Sequence, residues 1–204
     1  TDDVNLTASM ILSKQGDGLL KMAKRTYDYS GATEVFSGSL AFSGTLSNSE
    51  VWMNRHTNLY TAGTFNKPVT MEYGSTLYIT EENVKADGTT PEPEYSSVTF
   101  NELNLNEGSR VVINIDVETN QHDNISIGTL NIRTQDWQNG PKYLSPVFEI
   151  ISPSRLELGT YLIGDITSIS GDLADIVVEG NNFRLYQNRE IIEENGHLYL
   201  KLTE

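Results

Sequence analysis

The sequence predicts an all-β chain wound as a right-handed parallel β-helix, or a related β-solenoid, closed by a C-terminal antiparallel hairpin. Three observations predict it. Apolar residues recur at period two in short runs, the mark of half-buried strands. A Gly-Ser start followed by an alternating apolar run appears at Gly38, Gly74 and Gly108, at steps of 36 and 34 residues. Gly and Asn punctuate the runs where a coil must turn with φ > 0. Self-similarity of this kind, built from short strands, reads as stacked coils. A β-sandwich also places strands about 8 to 12 residues apart and is the alternative.

Each element follows from the pattern. Leu40 and Phe42 open the first Gly-Ser run, with Val51-Trp52-Met53 and Gly63-Thr64-Phe65 as further short strands before Leu77 and Ile79. A single helical turn, Leu20 to Arg25, is the only α-like stretch and is too short to stand alone. Residues 1–80 therefore form a block of coils. Glu81 to Tyr95 (EENVKADGTTPEPEY) breaks the alternation with two prolines and several carboxylates, and reads as an exposed acidic loop. Residues 96–204 resume the coils: Val111, Ile113 and Ile115; Ile125 and Ile127; Leu130 and Ile132; Leu156 and Leu158; Ile176 and Val178; Phe183 and Leu185. Thr134 to Pro146 interrupts them as a second long loop. The end is a hairpin: Ile191-Ile192-Glu193-Glu194, an Asn195-Gly196 turn, then His197-Leu198-Tyr199-Leu200. A solenoid needs its last apolar face covered, and a terminal hairpin does that.

Composition narrows the chemistry. Lys+Arg number 14 against 28 Asp+Glu, a net charge of −14 that makes nucleic acid and anionic membrane surfaces poor partners. With no Cys, thiol nucleophiles, disulfides, Cys-based zinc sites and iron–sulfur clusters are excluded. No apolar stretch approaches the roughly 18 residues of a membrane helix. The chain starts at Thr1 without a signal-like segment and reads as a mature or excised piece.

The first third carries a recognisable motif. Ser13 to Met22 (SKQGDGLLKM) is followed by Thr26 to Val35 (TYDYSGATEV), then Gly38-Ser39-Leu40-Ala41-Phe42 and Gly63-Thr64-Phe65. This resembles the passenger-associated strand repeat of bacterial autotransporters, which also occurs in other secreted Gram-negative proteins. The match spans about Leu12 to Leu77. Lys21 to Arg25 is more basic than the usual run, and Asp28 stands where a small or polar residue is usual. The resemblance implies a β-helix exported to the extracellular space or outer cell surface of a Gram-negative bacterium. It implies no activity, and passengers that cross the envelope unfolded are poor in Cys, as here.

No residue set converges on catalysis. His56, His122 and His197 lie apart from any Gly-x-Ser-x-Gly elbow and have no i, i+4 His partner. Asp116, Asp123, Asp136, Asp165, Asp172 and Asp175 fall in turn-like contexts, where carboxylates more often cap local backbone than act as acid and base. Asp172, Asp175 and Glu179 supply oxygens but no calcium-loop spacing. No cofactor or metal is expected. The expected role is a non-catalytic structural or adhesive module of an exported protein; the alternative is a polysaccharide-active enzyme or its accessory carbohydrate-binding region. Tyr27 and Tyr29 are expected in the core, while Trp52, Tyr60 and Tyr73 join them as aromatics of the repeat block. Trp137, flanked by Gln135, Asp136, Gln138 and Asn139, is the expected ligand-binding group, facing a neutral or cationic glycan or another cell-surface partner.

Overall fold

The computed structural model describes residues 9–80, 95–134, 144–185 and 187–204. Its strands stack as coils of three, laid in parallel register. The first coil contributes β1 (Leu12–Lys14), β2 (Leu19–Lys21) and β3 (Thr26–Tyr27), and the second β4 (Thr33–Val35), β5 (Ser39–Phe42) and β6 (Thr45–Leu46). The third adds β7 (Val51–Met53), β8 (Asn58–Thr61) and β9 (Thr64–Phe65), and the fourth begins with β10 (Val69–Met71) and β11 (Thr76–Ile79). Then come β12 (Ser97–Leu105), β13 (Arg110–Asp116), β14 (Gln121–His122), β15 (Asn124–Ile132), β16 (Val147–Ile151) and β17 (Gly159–Ser170). A 3-10 turn (Leu173–Asp175), β18 (Val177–Gly180) and the antiparallel pair β19 (Asn188–Glu194) and β20 (His197–Thr203) end the chain.

Three faces result. The first is β1, β4, β7 and β10, continued by the C-terminal halves of β12, β15 and β17. The second is β2, β5, β8, β11, β13, β16 and β18. The third is β3, β6 and β9, continued by the N-terminal halves of β12, β15 and β17, with β20 and β19 added antiparallel. Along each face successive coils pair in parallel, and the antiparallel pairs are confined to the short β13–β14 return and the terminal hairpin, so the sandwich alternative is set aside.

The register shows what the Gly-Ser steps measured. Thr33, Val51 and Val69 are successive partners, one coil every 18 residues. The step from Gly38 to Gly74 therefore spans two coils, and that from Gly74 to Gly108 spans one coil plus the 81–94 segment. The intervening coil escapes the signature because His56 occupies the glycine slot. It adopts φ 59°, against 70° for Gly74 and 67° for Gly108. All three sit third in a turn closed by an N–H bond back to the carbonyl three residues earlier: Thr57 to Asn54, Ser75 to Glu72 and Ser109 to Asn106. Glycine is the residue that reaches this region without strain, and His56 holds it with its ring packed against Tyr73.

The corner between third and first faces shortens along the chain. Residues 28–32 separate Tyr27 from Thr33, 47–50 separate Leu46 from Val51, and 66–68 separate Phe65 from Val69. From β12 onward only two residues turn the corner, Asn101-Glu102, and the strand runs through it. Gly128 makes this possible in β15, since a Cβ there would stand 2.4 Å from the Asn101 carbonyl oxygen. The two runs Ile125-Ile127 and Leu130-Ile132 are thus one strand with a phase shift at its bend.

Inward rows build the core. Leu40, Leu59, Leu77, Val111 and Phe148 stack in register on the second face, all fully buried. Phe65 sits between Phe42 and Phe100 on successive coils, with ring centroids 5.5 and 5.1 Å away. Tyr27 and Tyr29 are buried as expected; the Tyr29 hydroxyl is bonded to Thr33, which pairs with Ser49 at 2.9 Å.

Three sequence expectations need correction. Leu20 to Arg25 is not helical: Leu19–Lys21 pairs with β5, which lends it backbone partners that an isolated turn lacks. Leu156-Leu158 and Phe183-Leu185 form no strands; Leu156 is a buried plug and Leu185 is exposed at a turn. Period two over three residues is too short to separate a strand from a loop with one inward side chain. The hairpin, by contrast, forms as expected, with Glu194 opposite His197 and positive φ at Asn195 (56°) and Gly196 (83°). Leu198, Leu200 and Leu202 turn into the core.

Candidate functional site

Polar or aromatic groups gather at three places. One is a shallow groove of about 300 Å³ on the third face. In register, Thr26, Thr45, Thr64, Thr99 and Ser126 form an outward hydroxyl row that ends in Asp165 and His197. The groove opens between Thr99, Ser126, Asp165 and Thr167, where Gly128 contributes no side chain and Gly196 of the hairpin turn forms a wall. The Gly196 carbonyl accepts from the Ile166 N–H at 2.9 Å, and His197 Nδ1 lies 2.6 Å from Asp165 Oδ1.

Serine, aspartate and histidine side by side invite comparison with a nucleophilic relay, and the order settles it. A relay needs the imidazole between hydroxyl and carboxylate. Here Asp165 is in the middle, so Ser126 and His197 are two strand spacings apart, about 10 Å. His197 cannot take the Ser126 proton. Its bond to Asp165 instead latches the hairpin turn onto β17.

The second place is buried. Asp123 has no solvent exposure and accepts three hydrogen bonds: from the Ser96 N–H at 2.9 Å, and from the Asn114 N–H and side-chain amide at 2.7 Å each. Burial pushes its carboxyl up to about 6, against the opposing pull of these donors. A perturbed, buried carboxylate is a common active-site feature. Every donor around this one is structural, however: Ser96 enters β12, Asn114 lies in β13, and His122 Nδ1 meets the Asp123 carbonyl at 2.7 Å. Asp123 pins the start of β15 to two neighbouring strands.

Its titration has a definite sign. With the folded pKa above the ordinary 3.8, the folded state holds the proton that the unfolded chain has lost between those values. Stability from this group is full below about pH 4 and falls as pH rises through about 6, by on the order of 3 kcal/mol in all. Urea midpoints measured at both pH values should show this decline. Asp123→Asn should flatten it.

Four other carboxylates have structural partners. Asp116 accepts from the Glu118 and Thr119 N–H groups and the Thr119 hydroxyl, and that hydroxyl bond is foremost in lowering its pKa. Asp172 accepts from the Ala174 N–H and caps the 3-10 turn. Glu179 pairs with Arg110 at 3.0 Å, as does Glu149 at 2.9 Å, which ties three coils of the second face together. Among the described residues, no group of three or more His, Asp or Glu side chains could hold a metal ion. None of the described helices is long and apolar enough to cross a membrane, which says nothing of strands in a barrel.

The third place is the first face. Trp52, flanked by inward Val51 and Met53, points outward and is 40% exposed; Phe36, next to buried Val35, is 48% exposed. The other aromatics named in the first block have partners: Tyr60 stacks on Tyr78 at 4.7 Å and Tyr73 packs against His56. Burial raises the pKa of Tyr60 and Tyr78. Trp137, Gln135, Asp136, Gln138 and Asn139 lie outside the described residues. No known family model matches the chain, and no curated protein matches it.

Proposed function

We propose that this chain is a non-catalytic β-helical module of an exported or cell-surface bacterial protein, serving as a stiff structural and adhesive surface. The observation that carries the reading is the unbroken stack of three parallel faces ending under an antiparallel hairpin. Such a stack extends by repetition, presents long outward rows, and is protected at its closed end from further strand pairing. On the second face the outward row is given to mutual support, as in the Arg110 bridges and the Tyr60–Tyr78 stack, and the buried Asp123 serves the backbone. The resemblance of Ser13 to Phe65 to the passenger repeat supports export to the surface of a Gram-negative cell.

The test is turnover. Purified chain incubated with uronate polymers and neutral glycans should release neither unsaturated uronate nor new reducing ends. Reproducible turnover that disappears in Asp165→Ala would overturn the reading and favour a polysaccharide-active enzyme.

A further inference from the structure

We infer that the first face carries a glycan-stacking platform formed by Trp52 and Phe36, with Glu34 beside them. The inference rests on the reading of the chain as a non-catalytic surface module and names the ligand class of one of its faces. Register places Glu34 directly opposite Trp52 on the adjacent coil. Phe36 lies two residues beyond Glu34, so it is the diagonal neighbour of Trp52, with side-chain origins about 7–8 Å apart. Its backbone is held in the ladder, since the Phe36 N–H donates to the Lys14 carbonyl at 2.9 Å and the Asn54 N–H to the Val35 carbonyl at 3.0 Å. Both rings therefore stand on strand-like backbone, not on a loose loop.

Neither ring has an aromatic or cationic partner, nor the Trp52 indole N–H an acceptor, among the described residues. The indole thus offers a free apolar face with one donor, and Glu34 offers an acceptor next to it. A pyranose needs that set: C–H groups stack on the ring while hydroxyls bond at its edge. Size selects the occupant. Rings of about 150–250 Å² at these exposures leave about 200 Å² accessible, far below the roughly 800 Å² per partner of a stable protein interface. The net charge of −14 and Glu34 itself disfavour uronates, so the ligand class is a neutral, chain-forming glycan.

The chain has two Trp, so Trp137→Phe leaves Trp52 as the sole indole. In that variant, cellohexaose, mannohexaose and chitohexaose at up to millimolar concentration are titrated against Trp emission, with hexagalacturonate as the anionic comparison. At least one neutral hexasaccharide should give a saturable shift, about tenfold tighter than hexagalacturonate. In the otherwise unchanged chain, retention on that glycan in an affinity gel should vanish in Trp52→Ala, return in Trp52→Tyr and weaken in Phe36→Ala. An emission unmoved by all three neutral sugars, or retention that survives Trp52→Ala, would overturn the platform. Reducing ends released from the same sugars would sink the non-catalytic reading alone, leaving the platform to be judged by retention.

Discussion

Phe65→Ala is expected to lower the stability of the chain by about 3–5 kcal/mol, the cost of emptying a buried aromatic site. Phe65 is fully buried, and its ring bridges Phe42 on the coil before and Phe100 on the coil after. The Phe65–Phe100 contact also crosses the 81–94 segment, joining strands that are 35 residues apart in sequence. A cavity at this point cannot close easily, because backbone spacing along the stack is fixed by the parallel ladders on either side. Urea denaturation monitored by far-UV circular dichroism reads the loss directly. Phe65→Leu should recover part of it by refilling volume, which separates packing from any local backbone effect.

The second large effect concerns the closed end. Leu198 and Leu200 are fully buried and face the last coils from β20. Replacing either with alanine is expected to cost about 2–5 kcal/mol. The double variant should do more than weaken the whole. Repeat stacks lose cooperativity when one interface is damaged, so the coils next to the hairpin should open first. Native-state hydrogen exchange should show lost protection in β16, β17 and β18, with β7, β8 and β10 retained. Uniform loss across all coils would mean that the hairpin does not act as a local cap.

The legible and illegible parts of this fold divide along physical lines. The Asn195-Gly196 turn is readable because a type I′ hairpin turn demands φ > 0 at both positions, and few residue pairs supply it. The true coil length was not. It lay hidden behind His56, which takes a positive φ without being Gly or Asn, and behind the 81–94 segment, which lengthens one coil to 34 residues between Val69 and Leu103. The corner of β15 splits Ile125-Ile127 from Leu130-Ile132 in the sequence, because two successive outward residues upset the period without ending the ladder.

Candidate sites divide the same way. Tyr27 and Tyr29 are expected in the core, and they are buried there. Trp52 was visible as an aromatic, but period two alone does not say which of two faces is the inner one until its neighbours are known. Val51 and Met53 flank it in sequence, and their apolar character is the signal that turns it outward. Asp123 looked like one turn carboxylate among several. Its role depends on Ser96 and Asn114, which register brings to it and which no local spacing announces.

The Cys-free chain allows the parallel register of the outward hydroxyl row to be tested with paired cysteines. Thr45 is opposite Thr64, and Thr64 is opposite Thr99. Adjacent strands stand about 4.8 Å apart, within disulfide reach, whereas Thr45 and Thr99 are two coils apart at about 10 Å. On mild oxidation, the pairs Thr45→Cys/Thr64→Cys and Thr64→Cys/Thr99→Cys should cross-link in the folded protein. The pair Thr45→Cys/Thr99→Cys should remain reduced. Cross-linking of that last pair, or its failure between positions 64 and 99, would contradict the stack.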